Sequence, residues 1–178
     1  MNYLTLEKFK QNAENNKNVP HWKNYIGRWC YHRRALEILK SLNITDPKTI
    51  LEIGAMGVPL AEDSITMDYG LAWNYNNQTH TITHDCRKFP YPCKDKEYKV
   101  VSLLRAFQHF YPVQERAFNE LKRIAENIII VTPSVYKEVK GVKPDTFAEW
   151  NDNTNPTICE QIMNDTTYIY FWSADDLS

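Results

Sequence analysis

Apolar positions along this chain gather in short runs, with two longer stretches at helical spacing. Ala35, Leu36, Ile38, Leu39 and Leu42 form one apolar stripe and predict a helix over about 22–42. Phe118, Leu121 and Ile124 form another between Pro112 and Ala125. Residues 4–14 read as a short polar helix and Arg105–Phe110 as a brief helical turn. The shorter runs read as strands at 49–54, 64–68, 80–84, 98–104 and 127–132, with 168–172 as a further candidate. Asn15–Pro20 and 135–165, which holds Gly141, Pro144, Asn155 and Pro156, lack periodicity, and Ser173–Asp176 reads as a helix N-cap box.

The stretch Thr49–Pro59 carries the most information. Ile50, Leu51 and Ile53 surround one acid, Glu52, and the run breaks at Gly54 and Gly57. A buried parallel strand ends this way where it turns tightly beside a ligand. The next two runs end on Asp68 and Asp85. Only Val58–Asp63 separates the glycine turn from the second strand, whereas a normal crossover needs a dozen or more residues. The first crossover helix is therefore expected to be almost absent. The next connection, Tyr69–Thr79, is polar and contains Trp73 and Tyr75.

Glu52-x-Gly54-x-x-Gly57, then Asp68, then Asp85, resembles motifs I, II and III of the class I S-adenosylmethionine (SAM) dependent methyltransferases. The similarity continues through His84–Pro92, Tyr98–Leu104, Gln108-His109 and Asn127–Pro133, and covers roughly 49–134. It implies a Rossmann-like α/β sheet of order 3-2-1-4-5. Relatives continue to a terminal β-hairpin, expected here to be missing or reduced. The resemblance implies one domain over 1–178, in which 1–46 is a helical lid segment and 47–178 the α/β core.

SAM is the implied cofactor. By resemblance, Glu52 orients the loop or reaches the SAM amino group, and the backbone at Gly54, Ala55, Met56 and Gly57 lines its methionine part. Met56 stands where the family has its central glycine, so its side chain points away from the cofactor or narrows its pocket. Asp68 matches the acid that accepts both ribose hydroxyls, a task for a bidentate carboxylate; a loop-capping role is the other reading. Tyr69 would pack on the adenine. Asp85 would accept from the adenine amino group, with the Cys86 backbone beside it, unless Asp85 only forms the turn before Pro90. Leu104 closes strand four, where the methyl donor meets its acceptor.

Arg105 and His109 follow that strand. His109 is the candidate catalytic base, its ordinary pKa lying near neutrality; a helix histidine bonded to backbone is the other reading. Gln108 replaces the acid common in relatives, which argues against a catechol-type Mg²⁺ site, and no metal is expected. The aromatic and basic segment 22–34 is expected to lid the site, with Tyr25, Arg28 and Trp29 on the substrate and Arg28 with Arg105 holding an anionic group. The expected activity is methyl transfer to O or N of a small polar, anionic acceptor, such as a sugar- or phosphate-containing metabolite. The alternative is a non-catalytic methyltransferase-like binding module. A dinucleotide-dependent dehydrogenase fits less well, since its glycines lead directly into a helix.

Bulk properties add limits. A length of 178 residues suits one domain with a sizeable core. A net charge of −1 gives no whole-chain attraction to nucleic acid or anionic membranes, and neither is expected as a partner. Cys30, Cys86, Cys93 and Cys159 show no zinc-site spacing and read as free thiols. No apolar run has the length of a membrane span and the N-terminus lacks a signal-peptide core, so a cytoplasmic location is expected.

Overall fold

The computed structural model describes residues 1–17, 19–69, 81–133, 156–162 and 167–177. Trp73 and Tyr75, and most of the irregular stretch at 135–165, lie outside the described residues. Helix α1 is Leu6–Asn15, capped by Thr5, whose side chain accepts from the Lys8 amide at 3.2 Å. Two 3-10 turns, Pro20–Trp22 and Ile26–Arg28, precede helix α2, Trp29–Ser41. The expected helix over 22–42 thus begins later. Trp22 and Tyr25 pack edge-on against Phe9 of α1, and the chain bends through the two turns to bring them there.

The strands are β1 Ile50–Ile53, β2 Ile65–Asp68, β3 Ile82–Thr83, β4 Tyr98–Leu104, β5 Ala125–Pro133, β6 Ile158–Ile162 and β7 Thr167–Trp172, with helix α3, Gln114–Ile124, between β4 and β5. They form one sheet of order β3-β2-β1-β4-β5-β7-β6. The first five strands run parallel in the expected 3-2-1-4-5 order; β7 pairs antiparallel with β5 and with β6. The expectation of a missing or reduced terminal hairpin is corrected here. The hairpin is β6-β7, with β7 at the run expected from 168 and β6 drawn from the stretch read as loop. Arg34 of α2 anchors β6 through a bidentate contact to Glu160, at 2.8 and 2.6 Å. Ser173–Asp176 starts a turn rather than a helix, with Asp176 accepting from the Ser173 amide at 2.5 Å.

Both sheet faces are buried, as a parallel sheet requires. Leu51, Val101, Leu103, Ile128 and Ile130 meet Phe118, Leu121 and Ile124 of α3 on one face. Ile50, Val100, Ile129 and Val131 meet Phe9, Ala35, Leu36 and Leu39 of α1 and α2 on the other. No helix among the described residues is long and apolar enough to cross a membrane.

The β1–β2 connection contains no helix, as its length requires. A helix would satisfy its own amides; here Leu60, Ala61 and Ser64 are buried, and the Leu60 and Ala61 amides must find partners outside the loop. Glu52, 2 % exposed, faces it from β1. Its carboxylate accepts from the Leu60 amide at 2.8 Å, the Ala61 amide at 3.3 Å and the Ser64 hydroxyl at 2.6 Å. The N-terminal segment supplies the rest: the Leu4 amide donates to the Leu60 carbonyl at 2.8 Å, and the Glu62 amide to the Asn2 carbonyl at 2.9 Å.

Burial pushes the Glu52 carboxyl up to about 7, against the pull of the Ser64 hydroxyl and the Leu60 and Ala61 amides. A folded pKa above that of the unfolded chain means the native state holds the proton more tightly. The resulting stabilisation is present below roughly pH 4.5 and fades as pH rises through about 7. Urea unfolding from pH 4.5 to 8 should therefore show a declining component in the wild type that Glu52→Gln lacks. At pH 8 the variant should still be destabilised, by ~1–3 kcal/mol, because an amide cannot accept from all three donors. Identical pH slopes in the two proteins would contradict this role.

Candidate functional site

A cavity of about 420 Å³ opens at the C-terminal ends of β1, β2 and β4. The sequence folds this way because three strands end in backbone that turns away from the sheet. After β1, Gly54, Met56 and Gly57 all take positive φ, at 72°, 51° and 78°. The Gly54 amide donates to the Met67 carbonyl at 3.0 Å, locking the turn to β2. A Cβ on Gly54 would meet the Ala106 Cβ at 3.0 Å, so both conformation and space call for glycine. Met56 carries its strained backbone because the buried Trp22 indole donates to its carbonyl at 3.0 Å. Met56 lines the cavity and also packs against the core cluster of Phe9 and Trp22.

The β2–β3 side holds the acids. Asp68 lines the cavity and accepts from the Tyr69 amide at 2.7 Å through one carboxylate oxygen. Tyr69 and Asp85 line it too. Asp85 is engaged by Arg87, with Nε at 2.9 Å and Nη2 at 3.1 Å, and that ion pair holds its carboxyl below the usual range. Asp85 is thus half of an ion pair at the rim. Ile53, Met67 and Cys86 give this side an apolar wall. Burial, reinforced by Asp68 and Asp85, pushes the Cys86 thiol up to about 12, so it packs as a small apolar group.

The β4 side holds Arg105 and two imidazoles, whereas the Arg87 cation on the β3 side is paired with Asp85. Arg105, Ala106, His109 and Phe110 line the cavity after β4, and His21 joins them from the first 3-10 turn. Arg105 has a positive φ of 67° and its amide donates to the Val131 carbonyl at 2.9 Å. Its guanidinium donates to Thr167 Oγ1 at 3.2 Å. Arg28 donates to the buried Tyr31 hydroxyl at 3.1 Å, and its Nε is buried with no hydrogen-bond partner among the described residues. Burial, then the Arg28 and Arg105 cations, push His21 down to about 3. Burial and Arg105 lower His109. Both rings are neutral at physiological pH.

Other expected residues stand back from the cavity. Glu52, Ala55 and Leu104 line a small buried gap behind the glycine turn. Gly57 is exposed and lines neither space. Tyr25 and Trp29 pack on Phe9, with ring centroids at 6.1 and 5.3 Å, and do not reach the cavity wall. Arg28 also stops short of the wall, but acts on His21 electrostatically. Sequence reasoning missed His21, which sits at the end of a loop with no periodicity; Pro20 before it was the one sign of a fixed turn. Among the described residues no cluster of His, Cys, Asp and Glu could hold a metal ion.

No protein-family model and no curated protein matches the sequence. Solved structures do. A chain of the Haloferax volcanii complex between the Trm112 methyltransferase activator and its methyltransferase partner aligns at TM-score 0.57 and 12% identity, over 94% of this chain and 97% of that one. Magnesium protoporphyrin IX methyltransferase from Synechocystis PCC 6803, with bound SAM, aligns at 0.53 and 15% identity, over 84% and 81%. A Pyrococcus horikoshii protein described as an RNA methyltransferase aligns at 0.50 and 14% identity, over 80% and 81%. At such identities the likeness speaks for the fold: this chain has the class I methyltransferase fold. The expectation that nucleic acid is no partner is overturned. The same fold serves a protein described as acting on RNA, and a net charge of −1 averages over a cavity whose β4 side is cationic.

Gly54→Ala should destabilise the protein by about 1–2 kcal/mol, and Ala106→Gly should relieve only part of that, because the positive φ remains. Urea midpoints of the two single variants and the double variant measure this. Full rescue would mean that crowding alone fixes Gly54.

Proposed function

We propose that this protein transfers the methyl group of SAM to an oxygen or nitrogen of a polar, anionic acceptor. The observation that carries the reading is the polarity of one cavity in the class I methyltransferase fold: Asp68 on its β2 side, Arg105 and His109 on its β4 side, and the Gly54 turn between them. In this reading the second Asp68 oxygen, with capacity left on the first, accepts from the ribose hydroxyls. Adenine packs against Met67, Cys86 and Tyr69. The methionine part runs along the backbone of the Gly54–Gly57 turn, with Met56 tightening its channel. Glu52 acts at one remove, holding the loop that carries the turn.

The methyl group then faces the β4 side. There the chain offers donors and cations, a setting that favours an acceptor bearing a carboxylate or phosphate. Arg105 and the nearby Arg28 supply the field, and His109 flanks the acceptor. Residues 1–46 act as a lid segment of a single domain, held to the core through Trp22 and Met56. Displacement at a sulfonium methyl needs little more than an aligned nucleophile and exclusion of water.

Calorimetry with SAM tests this. SAM should bind, and Asp68→Ala should weaken it by ~1.5–3 kcal/mol, as for loss of a charged hydrogen-bonding group. A folded Asp68→Ala variant with unchanged affinity would remove the ribose role. Arg28→Ala should leave SAM affinity nearly unchanged and raise KM for the anionic acceptor, because its work is done in the ground state. SAM binding without transfer to any acceptor would favour the binding-module reading.

A further inference from the structure

Among the described residues three imidazoles line the cavity: His21, His84 and His109. They differ in what their nitrogens are already doing. His84 lies on the β3 side beside Asp85, and its Nε2 faces the Lys88 carbonyl at 3.0 Å. His109 is on the β4 side, but its Nε2 sits 3.2 Å from Gln108 Nε2. The Gln108 amide is oriented by the Arg105 carbonyl, to which its nitrogen donates at 2.6 Å. Its second N–H therefore points at His109, whose Nε2 must accept. A neutral imidazole has one lone-pair nitrogen and one N–H. The lone pair of His109 is thus spent on Gln108, and its Nδ1 carries the proton.

His21 makes no hydrogen bond among the described residues. Its position is nonetheless fixed. The neighbouring Trp22 is buried, donates to the Met56 carbonyl at 3.0 Å, and meets the His21 ring edge-on at 4.6 Å. The same contact therefore sets the glycine turn and His21 in one frame. We infer that His21 is the catalytic base of the transfer, accepting a hydrogen bond from the acceptor's nucleophilic O–H or N–H and taking its proton as the methyl group arrives. This rests on the methyltransferase reading above.

The step balances. An acceptor lone pair forms the new bond to the methyl carbon as the carbon–sulfur bond breaks. That bonding pair stays on sulfur and cancels the sulfonium charge. The electrons of the O–H or N–H bond stay with the acceptor, and its proton passes to a His21 ring nitrogen and then to solvent. The cations acting on His21 are Arg28 and Arg105, the neutral His32 and His109 rings lie near it, and no acid acts on it among the described residues. With burial, the cations keep the ring unprotonated and ready to accept. A weak base suffices for a late transfer, because an oxygen or nitrogen that has gained a methyl group is much more acidic than before. The same cations expel the proton afterwards.

The test compares His21→Gln and His109→Gln with wild type. SAM affinity is measured by calorimetry. Labelled methyl transfer is measured against a panel of phenolic carboxylates, sugar phosphates and short RNA. His21→Gln should bind SAM within about threefold of wild type and lose roughly 100-fold or more in kcat, while His109→Gln loses much less. The wild-type rate should stay level from about pH 7.5 down to about pH 5, where an ordinary histidine base would already be protonated. Nitrogen-15 spectra of the imidazoles in complex with S-adenosylhomocysteine need no acceptor. There His21 should remain neutral to about pH 5, and His109 should be the Nδ1–H tautomer. If SAM does not bind, the methyltransferase reading falls and this inference with it. If SAM binds and His21→Gln turns over at the wild-type rate, the inference alone falls. A His21 ring protonated on both nitrogens at about pH 7.5 in the S-adenosylhomocysteine complex overturns it even if no panel member is methylated, because no lone pair is then left to accept the proton.

Discussion

One buried carboxylate sets the terms for the rest of this molecule. Glu52 sits in the first strand and holds two amides and a hydroxyl of a connection that has no helix. In a full crossover unit those backbone donors would be satisfied locally. Here they would be left buried and unpaired, at about 1–3 kcal/mol each, without Glu52 and the N-terminal segment that pairs with the same loop. Holding the loop brings β2 beside β1 within a few residues and sets Asp68 next to the Gly54 turn. The short connection also leaves one sheet face open near the turn. Helix α1 and the buried Trp22 cover it, and Trp22 in turn grips Met56. The N-terminal segment and the glycine turn are therefore mechanically one unit.

The cavity inherits its polarity from this arrangement. Acids stand at the ends of β2 and β3, where the sheet thins to a strand of two residues. Cations and neutral imidazoles gather after β4 and in the 3-10 turns before α2. Arg28 has its Nε buried without a partner among the described residues, and both Arg28 and Arg105 act on His21 and Tyr31. Positive charge concentrated in low-dielectric surroundings is costly until an anion arrives. Neutral histidines follow from the same field, since burial and neighbouring cations oppose a further positive charge.

Much of this was legible in the sequence, for local reasons. A buried strand that ends in Gly54 and Gly57, with too few residues before the next apolar run, leaves few ways to fold. The parallel order, the absent crossover helix and the placement of Asp68 and Arg105 follow from it. What was not legible depends on long-range contacts. Strand β6 has a two-residue period over only Ile158–Ile162, and its half-buried pattern appears once β7 and Arg34 are beside it. His21 lies in a polar stretch whose path is set by packing on Phe9 and Met56, which no local pattern encodes. Tyr25 and Trp29 were expected at the substrate because the segment 22–34 holds more aromatic groups than one helix face needs. The cluster around Phe9 consumes that excess. Asp85 was expected to accept from adenine or to form the turn before Pro90, and its carboxylate accepts from both the amide and the guanidinium of Arg87.

The most direct test of the account is a crystal structure of the protein with S-adenosylhomocysteine. The account predicts the ribose hydroxyls on the Asp68 carboxylate, the adenine against Met67 and Cys86, and the thioether sulfur facing the space between His21 and Arg105. A ligand bound elsewhere, or one seated in this cavity with its sulfur turned towards Arg87, would contradict it.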